Sequence, residues 1–155
     1  MAETVYVAFG SNIGDGVENI KAAAAALDSV PGITLEKLSD IYTTKPWGYE
    51  EQADFCNACA RLSVTLSPEA VLGVCLGIEA GMGRIREFRN GPRIIDIDVI
   101  IYIGQERNTE ELVLPHPRMN ERDFVLVPLL DVAEGSIKDG IEESIKKLKG
   151  TYIVR

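Results

Sequence analysis

Scarcity narrows this chain first. Cysteine occurs only at Cys56, Cys59 and Cys75, an odd count that does not suggest a disulfide framework. Cys56 and Cys59 do spell Cys-x-x-Cys. On a strand, however, residues three apart project to opposite faces, there is no second pair, and His116 is the only histidine. A structural or incidental role is the expectation. No apolar run reaches 18 residues, so no transmembrane helix is expected. The opening Met-Ala-Glu-Thr-Val-Tyr-Val lacks a basic region and reads as a first strand, not a signal peptide, so a cytoplasmic protein is expected. Positive charge is short as well: 16 Lys and Arg stand against 24 Asp and Glu, net −8. That balance argues against a general nucleic-acid or membrane-surface role. No Gly-x-x-x-x-Gly-Lys-Ser/Thr occurs, which excludes a P-loop, and no dinucleotide-binding fingerprint occurs either.

What is present concentrates between Gly83 and Tyr102. Arg84, Arg86, Arg89 and Arg93 fall within ten residues of one another on an acidic chain. Guanidinium is always charged and bonds phosphate oxygens in a bidentate way. The run leads straight into an Ile/Val-rich strand carrying Asp96 and Asp98. Two residues apart on a strand, these carboxylates share a face at roughly 7 Å. They repel one another unless a cation sits between them. The pair fits a phosphorylated ligand with divalent metal. Two exposed carboxylates on the solvent face of an edge strand would look the same locally. The reading adopted puts them on a central strand.

One domain spanning 1–155 is expected from the length and from 46% apolar residues. Thr4–Phe9 reads as a strand, with Gly10-Ser11-Asn12 as a turn. Asp15 with Glu18 forms a capping box before a helix on which Val17, Ile20, Ala24 and Leu27 recur. A second strand covers 33–42, a polar loop 43–54 and a third strand 55–65. Ser67-Pro68 starts a helix carrying Leu72, Cys75, Leu76 and Glu79. A strand over 94–102 follows the arginine loop. Residues 112–114 read as a short edge strand, 118–132 as a turn plus a short helix, 141–149 as a helix, and 152–154 as a closing strand. Up to residue 102 the order is β-α-β-β-α-β. That predicts an α+β, ferredoxin-like α/β sandwich, with a mostly antiparallel sheet and helices packed on one face.

Other residues carry two readings each. Phe55, Asn57 and Cys59 share one strand face. A ring beside a primary amide suits a flat heterocycle, but Phe55 in the core and Asn57 on a loop backbone is the simpler alternative. His116, between two prolines and near Arg118 and Arg122, suits a phosphate oxygen or is a packing residue. Glu79, on an apolar helix stripe, either pairs with a loop arginine or lies at the surface.

Taken in order, these blocks resemble the 6-hydroxymethyl-7,8-dihydropterin pyrophosphokinase family of folate biosynthesis. The resemblance rests on Phe9-Gly10-Ser11-Asn12, Thr44-Lys45-Pro46-Trp47-Gly48 and Asp54-Phe55-Cys56-Asn57-Ala58. It continues through Ile78-Glu79, Gly83-Arg84, Gly91-Pro92-Arg93-Ile94-Ile95-Asp96-Ile97-Asp98, Pro115-His116-Pro117-Arg118-Met119 and Glu121-Arg122-Asp123-Phe124-Val125-Leu126. It covers nearly the whole chain and weakens after about residue 135. Its most specific segment is Gly-Pro-Arg-x-x-Asp-x-Asp.

The resemblance implies an enzyme that moves pyrophosphate from ATP to the pterin hydroxymethyl group and releases AMP. It implies a pterin between Phe55 and Phe124, with Thr44, Pro46, Trp47 and Asn57 around it. It also implies two Mg²⁺ ions on Asp96 and Asp98, and ATP contacts from Glu79, Arg86, Arg93, His116, Arg118 and Arg122. Arg84, Arg93, Asp96 and Asp98 are the implied catalytic set. The partners implied are small molecules alone, with a monomer expected. Asn90 stands where many members have a tryptophan, the loop is about one residue shorter, and Trp47 replaces a common aliphatic residue. The alternatives from another class are an RNA-binding module, disfavoured by the acidic balance, and a nucleotide or pterin sensor without catalysis.

Overall fold

The structure is a computed structural model that describes residues 1–83, 91–148 and 150–153. Arg84, Arg86, Arg89, Asn90 and Val154 lie outside the described residues. Strand β1 (Glu3–Ser11) runs through the middle of the main sheet. It pairs antiparallel with β4 (Phe55–Val64) on one side and β5 (Asp96–Tyr102) on the other. β2 (Ile33–Leu38) lies beyond β4, giving the order β2-β4-β1-β5. This is the expected split βαβ arrangement. β5 is therefore a terminal strand and not the central one expected. Its outer side receives a hydrogen bond, since His116 N–H donates to the Ile100 carbonyl at 2.8 Å.

Two layers of helix cover the sheet. α1 (Gly16–Asp28) and α2 (Pro68–Gly81) pack on one face, as the first half of the sequence predicts. Their contact surface joins Val5, Val7, Phe9, Leu62 and Val64 to Ile20, Ala23, Leu27, Val71 and Cys75. α3 (Asp123–Val132) and α4 (Gly135–Lys146) cover the opposite face, around Tyr6, Ala8, Cys59, Ile100, Leu126 and Leu129. Alternation along β4 sends Cys56 to the first face and Cys59 to the second. Burial pushes both the Cys59 and Cys75 thiols upward; for Cys75, with the Glu79, Asp98 and Asp96 charges adding, to about 12. Both stay protonated and unreactive near neutrality.

Caps behave as the residue types require. Asp15 accepts the Glu18 N–H at 3.2 Å and Ser67 accepts that of Ala70 at 3.2 Å. The buried stripe of α2 is Val71, Cys75 and Glu79, while Leu76 is 46% exposed. α4 starts six residues earlier than the apolar pattern predicts. The strand expected over 33–42 breaks at Ser39. The Ser39 hydroxyl takes the Cys59 N–H at 2.9 Å, replacing one ladder bond. The chain resumes as β3 (Tyr42–Thr44), which pairs with the other end of β4. Gly10 and Ser11, read as a turn, are the last residues of β1. The strand near 112–114 is β7 (Val113–Leu114), which pairs with β6 (Arg107–Asn108) and not with the main sheet. Among the described residues, no helix is long and apolar enough to cross a membrane.

Two glycines test the packing in opposite directions. A Cβ on Gly16 would lie 2.7 Å from the Cys56 sulfur, whereas one on Gly77 meets nothing within 4 Å. Gly16→Ala is expected to lower unfolding free energy by about 1–3 kcal/mol through overpacking. Gly77→Ala, in a helix interior, should raise it by about 0.5–1 kcal/mol. Urea melts of the two variants check both signs, and equal effects would contradict the close approach at Gly16.

Candidate active-site cleft

At one end of the sheet the strands leave a cleft on the α3 side. Ala8 and Gly10 of β1, Thr44 of β3, Phe55 and Asn57 of β4, and Asp96 and Asp98 of β5 line it. Lys45, Trp47, Arg93, Arg122, Phe124 and Val125 complete the wall. Register explains the meeting of these groups. Gly10 sits opposite Asn57 in one ladder and opposite Asp96 in the other. The ring-and-amide pair and the carboxylate pair, argued separately from the sequence, thus face one space.

The heterocycle end is built on β3 and β4. Asn57 and Thr44 are buried, and the Asn57 amide donates to the Thr44 hydroxyl. Hence Asn57 is tied to a side chain on the neighbouring strand, not to a loop backbone. A Cβ on Gly10 would come 3.2 Å from the Asn57 amide oxygen, so glycine keeps that oxygen accessible from the cleft. Phe55 and Phe124 line the cleft from β4 and from the first turn of α3. Trp47 lines it as well; Pro46 is buried and is not part of the wall.

The charged end is built on β5 and the segments before and after it. Asp96 and Asp98 alternate with buried Ile97 and Val99, so both point into the cleft and not to an open sheet edge. Arg93 reaches Asp96 at 3.3 Å and also lies over the Phe55 ring, 5.3 Å from its centroid. Arg122 lies 4.4 Å from the Trp47 centroid and 5.6 Å from that of Phe124; Arg118 lies 5.2 Å from Trp47. Burial draws the Arg122 guanidinium below its usual value, against the opposing pull of Asp98. It remains charged in any accessible pH range.

His116 stands on the far side of Asp98, in a separate hollow with Leu72, Val99 and Pro117. Its Nδ1 accepts the Arg118 N–H at 3.2 Å. The proton of the neutral ring is therefore on Nε2, which can donate. Burial first, then the Arg122 charge, lower its pKa, with Asp96 opposing. Glu79 is buried, not at the surface, and its carboxylate accepts the Ile97 N–H at 2.7 Å. It thereby grips β5 between the two aspartates.

Sequence reasoning missed Asn12 and Lys45 as individual residues. Asn12 Nδ2 donates to Gln52 Oε1 and to the Ala53 carbonyl, each at 2.9 Å. Its Oδ1 accepts the Arg93 N–H at 2.9 Å, and its own N–H donates to the Arg93 carbonyl at 3.0 Å. One side chain thus sets the mouth of the cleft and the post-loop arginine. The available signal was an amide directly after a strand, a residue type that ties loops.

The carboxylate pair meets the requirements of a hard cation. Oxygen donors suit Mg²⁺, which takes one or two carboxylates and fills its remaining positions with water and substrate phosphate. Among the described residues no group of three His, Cys, Asp or Glu side chains gathers, so an all-protein cage is not formed there.

The family model described as 7,8-dihydro-6-hydroxymethylpterin-pyrophosphokinase matches residues 6–134. A 2-amino-4-hydroxy-6-hydroxymethyldihydropteridine pyrophosphokinase of Methylorubrum extorquens is 44% identical over 152 residues, covering 97% of this chain and 96% of that protein. The Bacillus subtilis protein of the same name is 42% identical over 134 residues, covering 86% and 80%. A solved structure of HPPK-DHPS in complex with substrates aligns with TM-score 0.63 at 16% identity, over 95% of this chain and 45% of that one, a likeness of fold alone.

The neutral state of His116 has a linkage consequence. Its folded pKa is depressed, so the unfolded chain binds the proton more readily. The stabilisation is complete above the unfolded value, about 6.5, and is lost as pH falls through the lower folded value. His116→Asn should flatten the rise of stability with pH just below about 6.5, measured by urea melts without metal or nucleotide. An unchanged slope would mean His116 is not desolvated.

Proposed function

The chain belongs to the 7,8-dihydro-6-hydroxymethylpterin-pyrophosphokinase family, and from that premise we propose how its cleft performs the transfer. The enzyme moves the pyrophosphoryl group of ATP to the hydroxymethyl group of 6-hydroxymethyl-7,8-dihydropterin and releases AMP, a step of folate biosynthesis. Readings without catalysis fall away with the family. The observation that carries the residue assignments is the convergence of Phe55, Asn57, Phe124, Asp96 and Asp98 on one cleft.

The pterin slots between the Phe55 and Phe124 rings, where stacking favours a flat heterocycle. With the Asn57 amide donating to Thr44, its oxygen accepts from the N–H groups of the pterin edge. Trp47 closes the side of the slot and Pro46 fixes the backbone beneath it. The hydroxymethyl group then points along the sheet toward β5.

The triphosphate lies across β5. Arg93, Arg118 and Arg122 neutralise its oxygens, and His116 donates through Nε2–H. Arg84 and Arg86 add charge from the segment outside the described residues. Asp96 and Asp98 would hold two Mg²⁺ ions, and such ions would supply charge neutralisation for the phosphates and acidify the attacking hydroxyl. Glu79 contributes by fixing the strand that carries both aspartates. The hydroxymethyl oxygen bonds to the β-phosphorus, the bond from that phosphorus to the α–β bridging oxygen breaks, and AMP leaves with the electron pair. The hydroxyl proton is released. Such transfer depends on alignment and charge neutralisation more than on protein covalent chemistry. The partners proposed are these small molecules alone, with the chain a cytoplasmic monomer.

AMP release from Mg-ATP, followed with and without the hydroxymethylpterin, tests the assignment. Asp96→Ala and Asp98→Ala should each cut turnover at least about 100-fold while leaving the melt unchanged. Near-normal turnover in both would refute the metal positions. Phe124→Ala should weaken pterin binding about tenfold and ATP binding little; equal loss for both ligands would remove the ring from the slot.

A further inference from the structure

The family match ends at residue 134, yet a segment well beyond it touches both walls of the cleft. Gly150, at φ +80°, turns the chain so that Thr151–Ile153 runs beside β3. Ile153 bridges antiparallel to Thr44, and the Lys45 N–H donates to the Tyr152 carbonyl at 2.6 Å. The same segment is tied to α3. The Tyr152 N–H donates to Asp123 Oδ2 at 2.8 Å, and the Thr151 hydroxyl donates to the same buried oxygen. The Tyr152 ring meets the Phe124 ring with centroids 5.9 Å apart and planes at 76°. Thr44 and Lys45 belong to one wall and Phe124 to the other, and they lie about 80 residues apart in sequence.

We infer that Tyr152 is a positioning residue for the pterin slot. Its main chain ties the Thr44–Lys45 wall to Asp123. Its ring holds the neighbouring Phe124 ring at a fixed angle, which sets the gap a flat heterocycle enters. Tyr152 does not itself line the cleft, so it acts through Phe124. A perpendicular aromatic pair restricts ring rotation, and the pair adds attraction beyond buried area. Among the described residues, the hydrogen bonds and ring contact of this segment go to Lys45, Asp123 and Phe124, and not to β5, Arg93 or Arg122. Arg122 also touches Phe124 but lies closer to Trp47, so loss of the Tyr152 ring acts on the pterin far more than on the nucleotide. The inference rests on the pterin lying against Phe124.

The experiment uses the full chain with Tyr152→Ala, Tyr152→Phe and Phe124→Ala, and titrates each with hydroxymethylpterin and, separately, with a non-hydrolysable ATP analogue and Mg²⁺. Tyr152→Ala should weaken pterin binding about three- to tenfold, with the nucleotide dissociation constant within about twofold. Tyr152→Phe, which keeps the ring, should restore pterin binding. Wild-type pterin affinity in Tyr152→Ala overturns the inference, as does parallel loss of both ligands with a lowered melting temperature. If Tyr152→Ala does not fold, Tyr152→Leu fills the space without a ring and is held to the same outcomes. Phe124→Ala separates the two levels. If it leaves pterin binding intact, the pterin placement itself is wrong; if it weakens pterin binding while Tyr152→Ala does not, only the positioning role falls.

Discussion

The site depends on the register of β1. Gly10 must stand between Asn57 on one side and Asp96 on the other. At about 4.8 Å per strand spacing, this puts the amide and the first carboxylate roughly 10 Å apart on one sheet face. A slip of one residue against either partner would turn the paired side chains to the opposite face. The apolar residues Val5, Val7 and Phe9, packed under α1 and α2, make such a slip costly. The hydrophobic layer on one side of the sheet thereby fixes the polar constellation on the other.

Electrostatics follow from that geometry. An acidic chain of net −8 places Arg93, Arg118 and Arg122 around two aspartates. The arginines rest on aromatic faces: Arg93 on Phe55, Arg118 on Trp47, and Arg122 on both Trp47 and Phe124. These rings hold the guanidinium groups beside the cleft at modest energy, about 0.5–2 kcal/mol each. A triphosphate offers far stronger partners. The rings assigned to the heterocycle also carry the arginines assigned to the phosphates, so the two halves of the cleft share side chains.

Much of this was legible where signals are local. Alternation placed Asp96 with Asp98 and separated Cys56 from Cys59. Asp15 and Ser67 marked helix starts because their side chains cap backbone N–H groups only there. The residues that sequence reading misplaced answer to distant partners. Ser39 breaks a strand because Cys59 lies opposite it. Glu79 stood on the apolar stripe of its helix, but its partner, the Ile97 amide 18 positions on, was not legible there. Asn12 read as a turn residue because Arg93, its partner, is 81 positions away. β5 read as central because apolar content cannot tell an inner strand from a terminal one covered by later chain.

The central position of β1 has a consequence during synthesis. This strand leaves the ribosome before either of its neighbours, residues 55–64 and 96–102. Until the second of them emerges, the Val5–Phe9 run has at least one unpaired backbone edge and little to cover its side chains. Long-range antiparallel pairing of this kind forms slowly, and open strands of this composition associate with one another. The nascent chain thus passes through an interval in which a segment fully covered in the folded protein stands open.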